Sequence, residues 1–145
     1  MIKNARIMST MLGREDHGIM TFMIHISADN FSCGIGGFCL DEYNNDIKAR
    51  IFRAESMEAI SKILDVVGVT KWEDLPGQYI RFEDNGWGST ITKIGNIIED
   101  KWFDIRGFFE KNKENKGAEN RKHRSYRLGS CHQRYAQPDE LLGKE

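Results

Sequence analysis

The sequence predicts one α+β domain over residues 1–110, with a mostly antiparallel sheet of about five strands in the order β-β-β-α-β-β-α. Two patterns predict this class. Apolar residues alternate with polar ones along several short segments, and one apolar stripe recurs at helical spacing near the middle of the chain. A basic, weakly structured C-terminal extension is predicted over residues 111–145.

Three strands are predicted in the N-terminal part, over residues 2–10, 19–27 and 31–40, with a further one at 48–53. In the second, Phe22, Ile24 and Ile26 alternate onto one face, which indicates a half-buried strand. In the third, Gly34, Gly36 and Gly37 indicate a bulge or a close backbone approach. A phosphate-binding loop would need a helix after these glycines, and Phe38-Cys39-Leu40 favours a strand.

The first helix is predicted to begin at Ser56 as N-cap and to end at Gly68 in the left-handed conformation. Its apolar stripe consists of Ile60, Ile63, Leu64 and Val67. Two more strands follow at residues 78–83 and 89–98, joined by a tight hairpin at Asp84-Asn85-Gly86. A short helix is predicted to begin at Asp104 and to dock on the sheet through Ile105, Phe108 and Phe109.

Composition restricts the class of protein. Hydrophobic residues make up 39% of the chain, and no apolar run approaches the roughly 20 residues of a membrane span, so we expect a soluble intracellular protein with no membrane association. The three cysteines, Cys33, Cys39 and Cys131, form no zinc spacing and no even disulfide set. We therefore expect free thiols, no metal and no cofactor.

Charge is unevenly distributed along the chain. Residues 1–110 hold 12 Lys and Arg against 17 Asp and Glu, whereas residues 111–134 hold 8 against 2. A basic segment with an interleaved tyrosine can neutralise phosphates and stack on a base. Its predicted contact residues are Lys111, Lys113, Lys116, Arg121, Lys122, Arg124, Tyr126, Arg127 and Arg134. Binding to an acidic protein surface, or a solvated segment without function, remains open.

The turn Glu15-Asp16-His17 is the weak candidate for catalysis, because a carboxylate can orient an imidazole that titrates near neutral pH. His25 would assist if the hairpin brought it near. Acidic residues are also common in exposed turns, and no motif places a nucleophile there. We therefore predict binding and not catalysis.

Aromatic and basic residues near the second hairpin form another candidate site. Trp87 follows the predicted turn, where a large ring is hard to cover, and tryptophan often anchors interfaces. A ring folded back over the sheet is equally compatible with this position. Arg81, Phe82 and Trp87 are predicted to line a ligand or subunit interface. Trp72 and Trp102 are expected to pack against the sheet instead.

Four separated motifs of the chain form a recognisable set: residues 9–22, 36–38 with Asp41, 67–69 with 72–77, and 94–95 with 101–104. Taken in this order, they resemble a family of small, largely uncharacterised proteins encoded by bacteriophages and prophages. The resemblance covers roughly residues 2–110 and implies an accessory factor that acts by binding in the cytoplasm of a bacterial host cell. The basic extension departs from the family pattern, so it is expected to be an acquired targeting or inhibitory element.

These observations lead to three hypotheses. The first is a phage or prophage accessory protein that inhibits a host defence system, such as a CRISPR effector, by binding a defence protein or ribonucleoprotein. The second is a binder that sequesters a phosphorylated signalling nucleotide, with a pocket between subunits of a homo-oligomer. The third is a nucleic-acid-binding accessory protein that uses the basic extension.

Overall fold

A computed structural model of the chain describes the backbone of residues 1–15 and 17–126 and the side chains up to residue 115. The contacts divide the chain into two units, Met1–Asn112 and Lys113–Glu145. The strands are β1 Ile2–Glu15, β2 Ile19–Ala28, β3 Phe31–Gly36, β4 Asp41–Asn44, β5 Ala49–Phe52, β6 Tyr79–Glu83, β7 Lys93–Asn96 and β8 Trp102–Asp104. The helices are α1 Ala54–Val67 and α2 Ile105–Tyr126, with one 3-10 turn at Trp72–Asp74.

The main sheet has six strands in the order β3-β2-β1-β6-β7-β8, and every neighbouring pair is antiparallel. Strands β4 and β5 form a separate antiparallel hairpin. The predicted α+β class with a mostly antiparallel sheet is therefore confirmed. The strand predicted at residues 48–53 is present as β5, but among the described strands it pairs only with β4 and does not join the main sheet.

One face of the sheet carries the core. The alternation predicted for β2 is confirmed, since Phe22, Ile24 and Ile26 are all buried, and both helices add apolar residues to the same cluster. The fully buried large side chains are Ile7, Phe22, Ile24, Ile26, Ile35, Ile63, Leu75, Ile80, Phe82, Ile94 and Ile105. The opposite face of the sheet presents the alternate residues of each strand, among them Arg81 and Trp102.

Strand β1 is longer than predicted and contains an irregularity. Its pairing with β2 passes from Ile7 opposite Ile26 to Ser9 opposite His25, so Met8 is an extra residue in the ladder. Such a bulge bends a strand and increases its twist. Beyond it, β1 and β2 stay paired to Glu15 and Ile19 as a ribbon, which β3 flanks on the β2 side only as far as Met23 opposite Gly36.

Helix α1 has the predicted apolar stripe but a different start. Arg53 occupies the N-cap position without a side-chain cap, and Ser56 lies inside the first turn. The Ser56 hydroxyl is buried and donates to the carbonyl oxygen of Leu40 at 2.6 Å, so a tertiary hydrogen bond replaced the predicted capping bond. At the other end Gly68 adopts φ 90°, and its N–H donates to Leu64, as predicted.

Strand β3 ends earlier than predicted, at Gly36. This residue has φ 139°, and a Cβ there would lie 2.3 Å from the carbonyl oxygen of Phe22. The close backbone approach predicted from the glycine cluster is therefore present. The chain then turns into the β4–β5 hairpin, where Asp41 is buried and accepts two hydrogen bonds from Arg50, at 2.6 and 2.7 Å.

The connection between β6 and β7 is not a tight hairpin, so that prediction is wrong. The ladder pairs Phe82 with Ile94, and β7 begins only at Lys93, which leaves residues 84–92 as a loop. The last sheet strand, β8, was not predicted. Asp104 accepts a hydrogen bond from the N–H of Gly107 at 3.0 Å, which confirms its capping role, and the α2 backbone stays helical to Tyr126.

Candidate functional site

A cleft of about 970 Å³ opens at one end of the main sheet, where the β2–β3 turn faces the loop of residues 84–92. This volume lies at the upper end of the range for small-molecule and peptide-side-chain pockets, roughly 300–1,000 Å³. The cleft is assembled from three separate stretches of chain: the start of β1, the β2–β3 turn and the 84–92 loop. We take this cleft as the candidate functional site.

The floor of the cleft is apolar and aromatic. Phe82 is fully buried beneath it, and Phe31 packs against Phe82 edge to face, with ring centroids 5.7 Å apart. Phe31 remains 39% exposed, so one side of its ring is accessible from the cleft. Ala28 and Ile91 complete an apolar surface on which a planar or aliphatic group can pack.

The wall of the cleft is polar and its geometry is fixed by Asp84. Lys3 Nζ donates to Asp84 Oδ2 at 2.5 Å, and the N–H of Gly86 donates to Asp84 Oδ1 at 3.0 Å. The hydrogen bond from Lys3 is the main cause that lowers the pKa of Asp84, followed by that from Gly86. Asp29 also lines the cleft, and the N-terminal ammonium of Met1 donates to the carbonyl oxygen of Asp84 at 3.1 Å, so two carboxylates and two ammonium groups lie at or beside this wall.

Trp87 stands at the tip of the 84–92 loop with its side chain completely exposed, at 107% of the reference area. Gly86 and Gly88 on either side have φ values of 103° and 78°, which L side chains rarely adopt. Ser89 closes the turn by donating through its hydroxyl to the carbonyl oxygen of Gly86 at 2.6 Å. The loop is thus hydrogen-bonded on both sides of a tryptophan that gains nothing from the protein's own core.

Cys33 brings a potential nucleophile to this site, since its half-buried thiol lines the cleft. Burial, and secondly the negative charge of Asp84, raise the pKa of this thiol. A raised pKa keeps the thiol protonated at neutral pH, and the protonated form is a poor nucleophile. The cleft therefore does not activate this thiol.

Two of the three residues predicted for a ligand interface meet at the cleft. Phe82 lies in its floor and Trp87 in its wall, but Arg81 does not line it. The Arg81 guanidinium lies 5.0 Å from the Trp102 ring and donates to the carbonyl oxygens of Asn96 and Glu99. Arg81 and Phe82 lie apart because side chains alternate along β6. Phe82 faces the core, and Arg81 faces the opposite side of the sheet.

The predicted catalytic turn lies elsewhere, at the tip of the β1–β2 ribbon. Glu15 and His17 are exposed there, His17 with φ 59°, and Asp16 lies outside the described residues. His25 pairs with Ser9, and it lies six residues along β2 from Ile19, or about 20 Å at strand rise. The hypothesis that His25 assists this turn is therefore wrong.

The basic residues predicted to contact nucleic acid or a partner start in α2. Lys111 and Lys113 are exposed on this helix. The helical backbone also includes Lys116, Arg121, Lys122, Arg124 and Tyr126, whose side chains are outside the description. Arg127 and Arg134 lie outside the described residues altogether, so the role of this segment stays a prediction.

Sequence reasoning missed Lys3, Asp84, Phe31 and Cys33 as members of the site. These residues are distant in sequence, and pairing of β1 with β6 and of β2 with β3 brings them together. One local signal was present, because an aspartate two residues before a glycine often accepts the glycine N–H in a turn. It was interpreted as part of a tight hairpin instead.

Other site classes find no support in the described part of the chain. Among the described side chains, those of residues 1–15 and 17–115, no three His, Cys, Asp or Glu gather where they could hold a metal ion. Within the described backbone, neither helix has the length and apolar character needed to cross a membrane. Comparisons with protein-family models, with curated proteins and with solved structures gave no match for this chain.

Proposed function

We propose that this chain is a binding protein without catalytic activity, and that the cleft and Trp87 together anchor a protein partner. In the phage setting that the motif resemblance implies, the partner is a host defence protein or ribonucleoprotein, such as a CRISPR effector, which the chain inhibits by occupying its surface. The proposal rests mainly on one observation, the complete exposure of Trp87 on a hydrogen-bonded loop.

An exposed tryptophan on an ordered loop is suited to binding for a physical reason. Its large ring leaves water only when a partner covers it, and tryptophans in this position are enriched among residues that dominate interface energies. The loop is already held by Asp84 and Ser89, so little ordering entropy is lost on binding. The adjacent cleft, with Phe31 on its floor, offers a pocket for an apolar side chain of the partner.

The test compares Trp87→Ala with Ile98→Ala, a matched control that removes another highly exposed apolar side chain, in the turn between β7 and β8. Binding to purified host nuclease complexes is measured by biolayer interferometry. A tryptophan anchor contributes about 2 kcal/mol or more, so Trp87→Ala should weaken binding about 30-fold, and Ile98→Ala should change it less than about twofold. Equal affinities for Trp87→Ala and the unaltered chain would rule out this anchor.

A small-molecule ligand is the second candidate, favoured by the volume and aromatic floor of the cleft. The position of Arg81 away from the cleft argues against a phosphorylated nucleotide as that ligand. A thermal-shift series with nucleotides and with neutral or cationic aromatic compounds separates these cases, because a specific ligand stabilises by RT ln(1 + [L]/Kd). We expect no shift with nucleotides.

Nucleic-acid binding through the basic segment is the third candidate, and it depends on charge alone. It predicts affinity that falls steeply with salt concentration and is lost when residues 113–145 are removed. Affinity for single-stranded DNA, measured between about 50 and 200 mM salt, tests it directly. Unchanged binding after the truncation would exclude the segment as the contact.

A further inference from the structure

Strand β1 has an unpaired edge over its second half. Strand β6 pairs with β1 only from Ile2 to Arg6, and the last bonds on this side join Ile7 to Gln78 and Gly77. From Met8 to Glu15, no strand of the described chain lies on the side of β1 that faces away from β2. The two-stranded ribbon therefore exposes a backbone edge.

The pairing shows which backbone groups face this edge. In β2, the carbonyl oxygens of Phe22 and Met20 accept hydrogen bonds from the segment that follows β3, so the odd-numbered β2 residues face β1. Their partners Ser9, Met11 and Gly13 thus direct their N–H and C=O groups toward β2. By alternation, Thr10, Leu12 and Arg14 direct theirs to the open side.

An open row of N–H and C=O groups is satisfied best by another extended strand. Proteins usually protect such an edge with charged side chains, proline or a bulge. The Met8 bulge and Arg14 flank this edge, and Thr10, Met11 and Leu12 between them carry neither a charge nor a proline. A second copy of the chain presents the same edge with the same alternation. We propose that β1 pairs with β1 of a second copy, antiparallel about a twofold axis through Leu12.

One face of β1 continues the core side of the sheet, and on this face the register brings compatible side chains together. Leu12, which is 38% exposed, would lie opposite its own copy, and Thr10 would lie opposite Arg14. An axis through Met11 instead places Leu12 opposite Thr10. An axis through Gly13 places Leu12 opposite Arg14, so only the Leu12 axis pairs the two exposed leucines.

The other face of the ribbon fits the same register. Met11 would lie opposite Gly13, and Ser9 opposite Glu15. The Met11 sulfur already lies near Gly13 in its own chain, 3.9 Å from where a Cβ would be, so the absent side chain leaves room for a second thioether. Hydroxyl and carboxylate form a compatible polar pair at the end of the ladder.

Sedimentation velocity of the full chain, from about 1 to 100 µM, tests the dimer. Leu12→Lys places two like charges at the axis, and Thr10→Pro removes an N–H from each edge. Phe52→Lys, at a 73% exposed position on β5, is the matched control for adding lysine to an exposed apolar site. Because each change occurs twice in a symmetric dimer, both edge variants should raise the dissociation constant at least about tenfold, and Phe52→Lys should not.

A cross-link then tests the register. Directly opposed residues of a hydrogen-bonded antiparallel pair have Cα atoms about 5.5 Å apart, which permits a disulfide. Leu12→Cys should therefore form a covalent dimer under mild oxidation, with peptide mass spectrometry locating the bond between the introduced thiols, while Ile98→Cys should not. A chain that is monomeric at about 100 µM, a dimer as tight in Leu12→Lys as in the unaltered chain, or no cross-link at position 12 would each overturn the proposal. Circular dichroism shows whether each variant is folded. If Thr10→Pro is unfolded, the dissociation constant of Leu12→Lys alone decides whether this edge forms the dimer.

Discussion

Replacing Asp41 with asparagine removes a buried negative charge that connects the β4–β5 hairpin to the main sheet. Asp41 is only 4% exposed, accepts two hydrogen bonds from Arg50 and accepts a third from the N–H of Met20 in β2 at 3.2 Å. A hydrogen bond to a charged group contributes about 1.5–3 kcal/mol. Asparagine retains one acceptor oxygen, and Arg50 is partly open to water, so we expect a loss of about 2 kcal/mol in the free energy of unfolding.

The effect should depend on pH with a definite sign. The hydrogen bond from Arg50 is the main cause that lowers the pKa of Asp41 in the folded protein. A lowered pKa stabilises the fold above the unfolded value of about 3.9, and this stabilisation disappears as pH falls through the folded value. The difference in the free energy of unfolding between the unaltered chain and Asp41→Asn should therefore be largest at pH 6–7 and should decrease below about pH 4.

Urea unfolding followed by circular dichroism at pH 7, 5 and 3.5 measures this difference. Glu42→Gln is the control, because the neighbouring pair of Glu42 with Arg53 is solvent-exposed on the glutamate side and should contribute less than about 1 kcal/mol. A loss in the free energy of unfolding of less than about 0.5 kcal/mol for Asp41→Asn at pH 7 would refute the reasoning. A loss that did not decrease at acidic pH would also refute it.

Three further predictions concern single side chains. Ser56→Ala leaves the carbonyl oxygen of Leu40 without its donor and should cost about 1–3 kcal/mol in urea unfolding. Gly36→Ala forces a Cβ to within 2.3 Å of a β2 carbonyl oxygen at an unfavourable φ, and should cost more than about 2 kcal/mol, seen as a lower Tm. Cys33, whose thiol pKa is raised by burial, should react with iodoacetamide at pH 8 more slowly than the exposed Cys39, as measured by peptide mass spectrometry.

Controls for these three are available in the chain. Gly88→Ala has an unfavourable φ but meets no atom within 4 Å, so it should cost less than Gly36→Ala, and an equal cost would show that the clash is unimportant. Asp84→Asn removes the second cause of the raised Cys33 pKa and should speed alkylation modestly. Ser56→Thr keeps the hydroxyl, so it should recover part of the loss in Ser56→Ala if the hydrogen bond is the cause.

Elements with strong local patterns were predictable from the sequence. Strand β2 alternates cleanly, and α1 combines an apolar stripe with Gly68 at its end, so burial and backbone conformation agree there. Strand β4, with the sequence Asp-Glu-Tyr-Asn, has little strand propensity of its own. It forms because Asp41 bonds to Arg50 and to β2, which is tertiary information that no short window of sequence contains.

The candidate site was predictable only in part, for a similar reason. The place of Trp87 beside a glycine turn left two equal outcomes, an exposed ring and a ring folded over the sheet, and the structure shows the exposed one. The cleft beneath it requires β6 to pair with the first five residues of β1, an order of strands that periodicity does not determine. Arg81 was misplaced even though alternation along a strand already puts it on the face opposite to its neighbour Phe82, so this part of the prediction could have been corrected from the sequence alone.

Met8 gives the chain an unusual tolerance of length. Because the ladder already runs from Ile7 opposite Ile26 to Ser9 opposite His25, deleting Met8 would leave every other pair of β1 and β2 unchanged. Deletion of a residue of the ladder outside the bulge formed by Ile7 and Met8 would turn the later side chains of β1 to the wrong face. Related chains that differ by one residue at this point can therefore share the fold, although the shorter ones would have a straighter ribbon and a flatter, more adhesive edge.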